Sequence, residues 1–101
     1  MPSTPKASDN EIEIFLADNP GWSLNAGKLQ QTYIFKNFVM AFGFMTQVAL
    51  VAERSNHHPE WSNIYKTVTI DLTTHEAGGI SHKDFALAKA MDRMSHQLIN
   101  E

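Results

Sequence analysis

The spacing of apolar residues changes repeatedly along this chain, and each change marks an element. Ser8 and Glu11 form a Ser-x-x-Glu pair of the kind that caps a helix, and Ile12, Phe15 and Leu16 then share one helical face. Asn19-Pro20-Gly21 stops that helix. Trp22 to Leu24 and Lys28 to Phe35 flank Asn25-Ala26-Gly27, a loop with glycine where a left-handed backbone is needed, so a β-hairpin is predicted. Its second strand puts Leu29, Tyr33 and Phe35 on one face. From about Asn37 to Ser55 the chain has no proline and is rich in helix formers. The apolar positions between Phe38 and Ala52 leave only a narrow polar strip near Gly43, Thr46, Gln47 and Arg54. That is more apolar surface than one sheet covers, so the surplus face is predicted to meet another subunit; a helix wrapped by its own fold is the alternative.

Asn56 ends the long helix, and Pro59 restricts His58 to an extended or turn conformation. Trp61 to Tyr65 and Thr67 to Thr73 read as two strands around a tight turn near Lys66. In the second, Val68, Ile70 and Leu72 alternate with Thr67, Thr69, Asp71 and Thr73, the period of a strand with one buried and one wet face. Glu76 to Ile80 form a Gly-Gly loop. Ser81 with Asp84 makes a second capping box, opening a helix whose apolar stripe is Phe85, Leu87, Ala88, Met91, Met94 and Leu98. The order α-β-β-α-β-β-α predicts an α+β fold, an antiparallel sheet with helices on one face.

Composition narrows the function more than the fold. The 101 residues, 43% of them apolar, predict one domain over residues 8–101 behind a disordered tail, residues 1–7, with a core small enough that a partner subunit would help. A net charge of −3 without a basic run offers nothing to a phosphate backbone or an anionic membrane. The run from Phe38 to Ala52 is too short to span a bilayer. Met1 to Ser8 lacks the apolar stretch of a secretory signal, so a cytoplasmic protein is expected. With no cysteine, disulfides and thiolate metal sites drop out.

The remaining chemistry lies in histidine. His57 and His58, adjacent on extended backbone, point to opposite sides and are not expected to chelate one ion together, although either could cooperate with His75 across the sheet, on the far strand. Two histidines with Glu53 or Asp84 could make an open iron-type site, but the tight spacing such sites show is missing, so no metal is expected. Histidines converging on one pocket point instead to general acid–base catalysis. No serine or cysteine nucleophile, phosphate-cradling glycine loop or dinucleotide fingerprint competes with that reading. His82 and His96 stand alone on the last helix and read as surface or structural residues. Glu53, in the last turn of its helix, is unfavourable with the helix dipole and one turn from His57, which it could orient through a hydrogen bond. Asp84 is first a capping residue, Trp61 first core or pocket wall, and Gly78-Gly79 a turn.

Glu53, three residues, His57-His58-Pro59, five residues, Tyr65, nine residues, His75, eight residues, Asp84: this spacing resembles the signature of the pterin-4a-carbinolamine dehydratases, a family also called dimerization cofactor of a hepatocyte nuclear factor. Ile34-Phe35-Lys36, Ala41-Phe42-Gly43-Phe44-Met45, Pro59-Glu60-Trp61 and Thr74-His75-Glu76 also look like family positions. The resemblance implies a four-stranded antiparallel sheet with three helices packed on one face. It further implies dehydration of 4a-hydroxytetrahydrobiopterin to quinonoid dihydrobiopterin, recycling tetrahydrobiopterin for aromatic amino acid hydroxylases, with no cofactor. By family role His57 and His75 transfer protons and His58 binds substrate and assists, while Asn56, Thr73, Thr74 and Glu76 contact the pterin. Glu53, Pro59, Trp61 and Asp84 stand behind them or form pocket wall. Family members assemble as homodimers or homotetramers through the helix matching residues 37–55. Animal relatives also bind a transcription factor, which admits a nuclear role and makes a coactivator the rival expectation.

Overall fold

A computed structural model describes residues 4–99. The elements are α1 (Asp9–Asp18), β1 (Ser23–Asn25), β2 (Lys28–Ile34), α2 (Phe38–Ser55), β3 (Glu60–Ile64), β4 (Thr67–Leu72) and α3 (His82–Ile99). They form one antiparallel sheet in the order β1-β2-β4-β3 with three helices, the expected α+β architecture. Of the predicted tail, residues 1–3 lie outside the described residues. Residues 4–7 are irregular, and the Ala7 N–H donates to Ile80 O at 2.8 Å.

Side-chain alternation decides which face the helices cover. Leu29 and Tyr33 on β2 and Val68, Ile70 and Leu72 on β4 are buried together with Phe44 and Val48 of α2 and Leu87 and Met91 of α3. Burial of each such large side chain contributes about 1.5–3 kcal/mol. Phe15 stacks on Phe85 with ring centroids 4.6 Å apart, which fixes α1 against α3. The Ser8–Glu11 box forms in both directions, and Phe15 is buried with Ile12 and Leu16 packed beside it. Across the other face of the sheet run Lys28, Gln30 and Thr32 of β2, Thr69 and Asp71 of β4, and Glu60 and Ser62 of β3.

The turns depart from the sequence expectation in instructive ways. The first hairpin closes over two residues, because Asn25 pairs with Lys28 and both Ala26 (φ 52°) and Gly27 (φ 77°) are left-handed. A left-handed pair matches the strand twist better than the three-residue loop expected. Trp22 therefore precedes β1 and is buried, its indole N–H donating to Asp92 at 3.1 Å. At the second hairpin Tyr65 carries φ 52°, a conformation bulky side chains rarely adopt. The Asn63 amide holds that turn by donating to Tyr65 O and Thr67 O, each at 3.0 Å. β3 begins at Glu60, not Trp61, and that shift brings a carboxylate into the sheet. Along α2, Ala41, Phe44, Val48 and Ala52 are buried, whereas Phe38, Val39, Phe42 and Leu50 are exposed.

Candidate active site

The end of α2 aims the first histidine. Asn56 takes a left-handed backbone (φ 51°), its N–H bonds Glu53 O at 3.1 Å, and the His57 N–H bonds Ala52 O at 3.0 Å. This is a Schellman reversal, and asparagine tolerates its left-handed position better than most residues. The reversal turns His57 inward and leaves His58 outside. His57 is 9% exposed, with Nε2 2.6 Å from Asp84 Oδ1.

Asp84 is 0% exposed. Its Oδ2 accepts from the Thr74 hydroxyl at 2.8 Å and from the Ser81 N–H at 2.9 Å. The Thr74 and Ser81 hydroxyls lie 2.7 Å apart. Among the described residues no buried side-chain polar atom lacks a partner, so the network His57–Asp84–Thr74–Ser81 is closed on itself. Half of the predicted second capping box forms: Asp84 accepts from Ser81, but Ser81 Oγ accepts from the Lys83 N–H at 3.2 Å. Asp84 thus caps α3 and holds His57 with the same carboxylate.

That arrangement corrects the expected Glu53–His57 hydrogen bond. Because the reversal at Asn56 buries His57 against α3, Glu53 meets His58 instead, at 2.9 Å between Oε1 and Nε2, on the surface. His75 is also displaced from expectation. β4 ends at Leu72, and His75 opens a single 3-10 turn, His75–Ala77, closed by a bridge between Thr74 and Gly79 and by left-handed Gly78 at φ 77°. Its side chain is 86% exposed, with Nε2 3.3 Å from Glu60 Oε2.

Asn56, His57, His58, Thr73, Thr74, His75 and Glu76 line one open cavity of about 290 Å³. Glu53 and Asp84 stand behind it, each against one of its histidines. Pro59 is half-buried in the connector to β3, and half-buried Trp61 packs on the hydrophobic core; neither lines the cavity. Glu76 Oε1 lies 3.2 Å from Lys83 Nζ. A second cavity, about 310 Å³ between α2 and α3, is also lined by His57, but among the described residues it contains no further histidine–carboxylate pair. No three His, Asp or Glu side chains among the described residues form a group able to hold a metal ion.

Glu60 and Lys28, to which the sequence assigned no role in the site, stand beside it. Glu60 Oε1 lies 2.6 Å from Lys28 Nζ, and this bond holds the Glu60 carboxyl below the usual carboxylate range while raising Lys28. β2 and β3 are not neighbours in the sheet, so nothing in local pattern connects residues 28 and 60. Ser81 was read only as a cap.

Three histidines, each with Nε2 against its own carboxylate, around one open cavity define a site for moving protons on a small polar ligand. Comparison with known proteins gives the same class a family. The model of the Pterin 4 alpha carbinolamine dehydratase family matches residues 5–94. A relative from Solibacter usitatus is 52% identical over 92 residues, covering 91% of this chain and 97% of its own, and one from Prochlorococcus marinus is 60% identical over 73 residues, covering 72% and 76%. Both carry provisional names as pterin-4-alpha-carbinolamine dehydratases. The crystal structure of a protein from Brucella melitensis described as a transcriptional coactivator/pterin dehydratase superposes with a TM-score of 0.85 at 36% identity, over 89% of this chain and 98% of that one. The chain belongs to the pterin 4 alpha carbinolamine dehydratase family, a family of hydro-lyases. No helix among the described residues is long and apolar enough to cross a membrane.

Proposed function

We propose that this chain dehydrates a 4a-hydroxytetrahydropterin to the quinonoid dihydropterin, with His57 and His75 as the proton-transfer groups. In that reaction the bond from C4a to its hydroxyl oxygen breaks, the hydroxyl takes up one proton and leaves as water, and the ring nitrogen next to C4a gives up one proton. One group must donate and another accept, and the enzyme ends each turnover with its proton count unchanged. The observation that carries the reading is the shared cavity: His57 and His75 border the same 290 Å³ space, with His58 beside them. Asn56, Thr73, Thr74 and Glu76 supply the polar groups that would fix a pterin within it. The physiological setting that fits is recycling of tetrahydrobiopterin for aromatic amino acid hydroxylases in the cytoplasm. Stopped-flow dehydration of the 4a-hydroxy pterin tests the chemistry. His57→Ala and His75→Ala should each lower the rate roughly a hundred- to ten-thousand-fold with the fold intact by circular dichroism. Near-wild-type rates in both variants would refute it.

The exposed residues Phe38, Val39, Phe42 and Leu50 favour a second property, assembly through α2. We read that face as joining copies of this chain into a homodimer or homotetramer. The rival is a transcription-factor partner, the reading that the description of the Brucella protein as a transcriptional coactivator favours. Light scattering on the chain alone distinguishes them: a partner-independent dimer or tetramer supports self-assembly, and a monomer that associates only with an added helical partner supports the rival.

A further inference from the structure

The open face of the sheet carries an arrangement that folding alone does not call for. Glu60 and Asp71 are directly opposed on β3 and β4. Like charges in that position destabilise a sheet. The pair is offset from both sides: the Gln30 amide donates to Asp71 Oδ1 at 3.0 Å, and Lys28 reaches over from β2 to Glu60 Oε1 at 2.6 Å. A neutral residue at position 60 would need neither Lys28 nor the compromise. The other oxygen of Glu60 faces His75 Nε2 at 3.3 Å.

His75 needs such a partner more than its companions do. His57 is locked by burial and by Asp84, whereas His75 is 86% exposed on a short turn, with no packing to select a rotamer or a tautomer. A carboxylate accepts and does not donate, so an imidazole nitrogen facing it carries the proton. Lys28, which donates and cannot accept, fixes the carboxylate on the far side.

We propose that Glu60, anchored by Lys28, is the positioning residue for His75: it holds Nε2 as the protonated nitrogen and leaves Nδ1 to exchange a proton with the ligand. The catalytic part rests on the dehydratase reading; the tautomer part does not. Glu60→Gln separates them. Lys28 would keep the amide oxygen, because an ammonium can only donate, and the amide NH₂ would turn to His75. Nε2 must then accept, and the ring switches to the Nδ1–H tautomer.

The experiment combines imidazole ¹H–¹⁵N correlation spectra with stopped-flow dehydration for wild type, Glu60→Gln, Lys28→Met, His75→Ala and His75→Ala/Glu60→Gln. The wild type should show His75 mainly as Nε2–H, and Glu60→Gln should shift it toward Nδ1–H. Outer partners of metal-bound histidines typically matter ten- to a hundredfold, and exposed ion pairs such as this one much less, so kcat should fall roughly three- to tenfold with KM within about twofold. Lys28→Met should give a smaller loss, and Glu60→Gln should have no further effect once His75 is alanine. An unchanged His75 tautomer in Glu60→Gln overturns the proposal, as does an undiminished kcat or an equal loss in the His75→Ala background. A wild-type chain without dehydratase activity refutes the function reading, and the spectra still decide whether Glu60 sets the ring.

Discussion

Asp84 is the residue whose substitution reads the site most directly, because its three partners differ in what they can give up. The Ser81 N–H can only donate; the Thr74 hydroxyl can donate or accept; the His57 ring can do either, according to tautomer. In Asp84→Asn the amide oxygen must stay with the Ser81 N–H, since the alternative sets two donors against each other in a buried place. The amide NH₂ then faces His57 Nε2 at a position now 2.6 Å away, and that nitrogen has to become the acceptor. The proton moves to Nδ1, the nitrogen that should exchange protons with the ligand, and the ring is held in the wrong tautomer. The expected loss in kcat is the worth of a general acid–base group, roughly a hundred- to ten-thousand-fold. Stability should suffer little, about 1–2 kcal/mol as charged hydrogen bonds become neutral ones. Asp84→Ala is the contrasting variant. It leaves the buried Ser81 N–H and the His57 ring without their partner, each at a cost of about 1–3 kcal/mol, against a total stability of about 5–15 kcal/mol for a domain of this kind. Thermal melts, imidazole ¹⁵N shifts and stopped-flow dehydration together make the assay. A folded Asp84→Asn protein with His57 still protonated on Nε2, or with kcat within a few-fold of wild type, would refute the reasoning.

Tyr33 gives a test away from the cavity. Burial first, and then its hydrogen bond to Asp92, push the Tyr33 hydroxyl above its ordinary pKa of 10.0. The unfolded chain therefore loses this proton first, so the contribution is fully present below about pH 10 and falls by about 1.4 kcal/mol per pH unit above it. Tyr33→Phe should cost about 1 kcal/mol at neutral pH, a melting shift of about 4–8 °C, and should flatten the alkaline slope without changing kcat; an unchanged slope in denaturant melts would refute it. Glu53→Gln tests the surface pair with His58. Exposed ion pairs contribute about 0.2–1 kcal/mol, so kcat/KM should fall no more than about fivefold; a loss beyond fiftyfold would mean that Glu53 touches the ligand itself.

Local pattern carried most of the fold into view because each element has its own chemistry. The Ser8–Glu11 box, the alternation from Val68 to Leu72 and the Gly-containing hairpin are decided within a few residues of themselves. What stayed hidden was decided across the sheet. The two-residue turn at Ala26-Gly27 follows from strand twist and register, and it moved Trp22 out of the strand and into its bond with Asp92. At the site, the histidines were visible as residues, but their carboxylates were not assignable from spacing. Glu53 is one helical turn before His57 in sequence, yet the left-handed step at Asn56 rotates His57 away from it and gives it to Asp84, 27 residues on.

The two pairs that separate sequence from structure share a design. In His57–Asp84 and in His75–Glu60 the carboxylate is held on its far oxygen by a donor that cannot reverse, a backbone N–H in one case and an ammonium in the other. His58–Glu53 sits at the surface, and among the described residues no such donor holds the far oxygen of Glu53. A carboxylate fixed in this way sets the tautomer of its imidazole, whereas an unanchored one follows wherever the ring turns. The division matches the roles proposed: the two histidines assigned to proton transfer need a defined exchangeable nitrogen, and one that mainly binds substrate does not. It also explains why a site with three similar-looking histidines need not be degenerate, since the anchors lie on β2 and at the start of α3, elements that the histidine motif itself does not include.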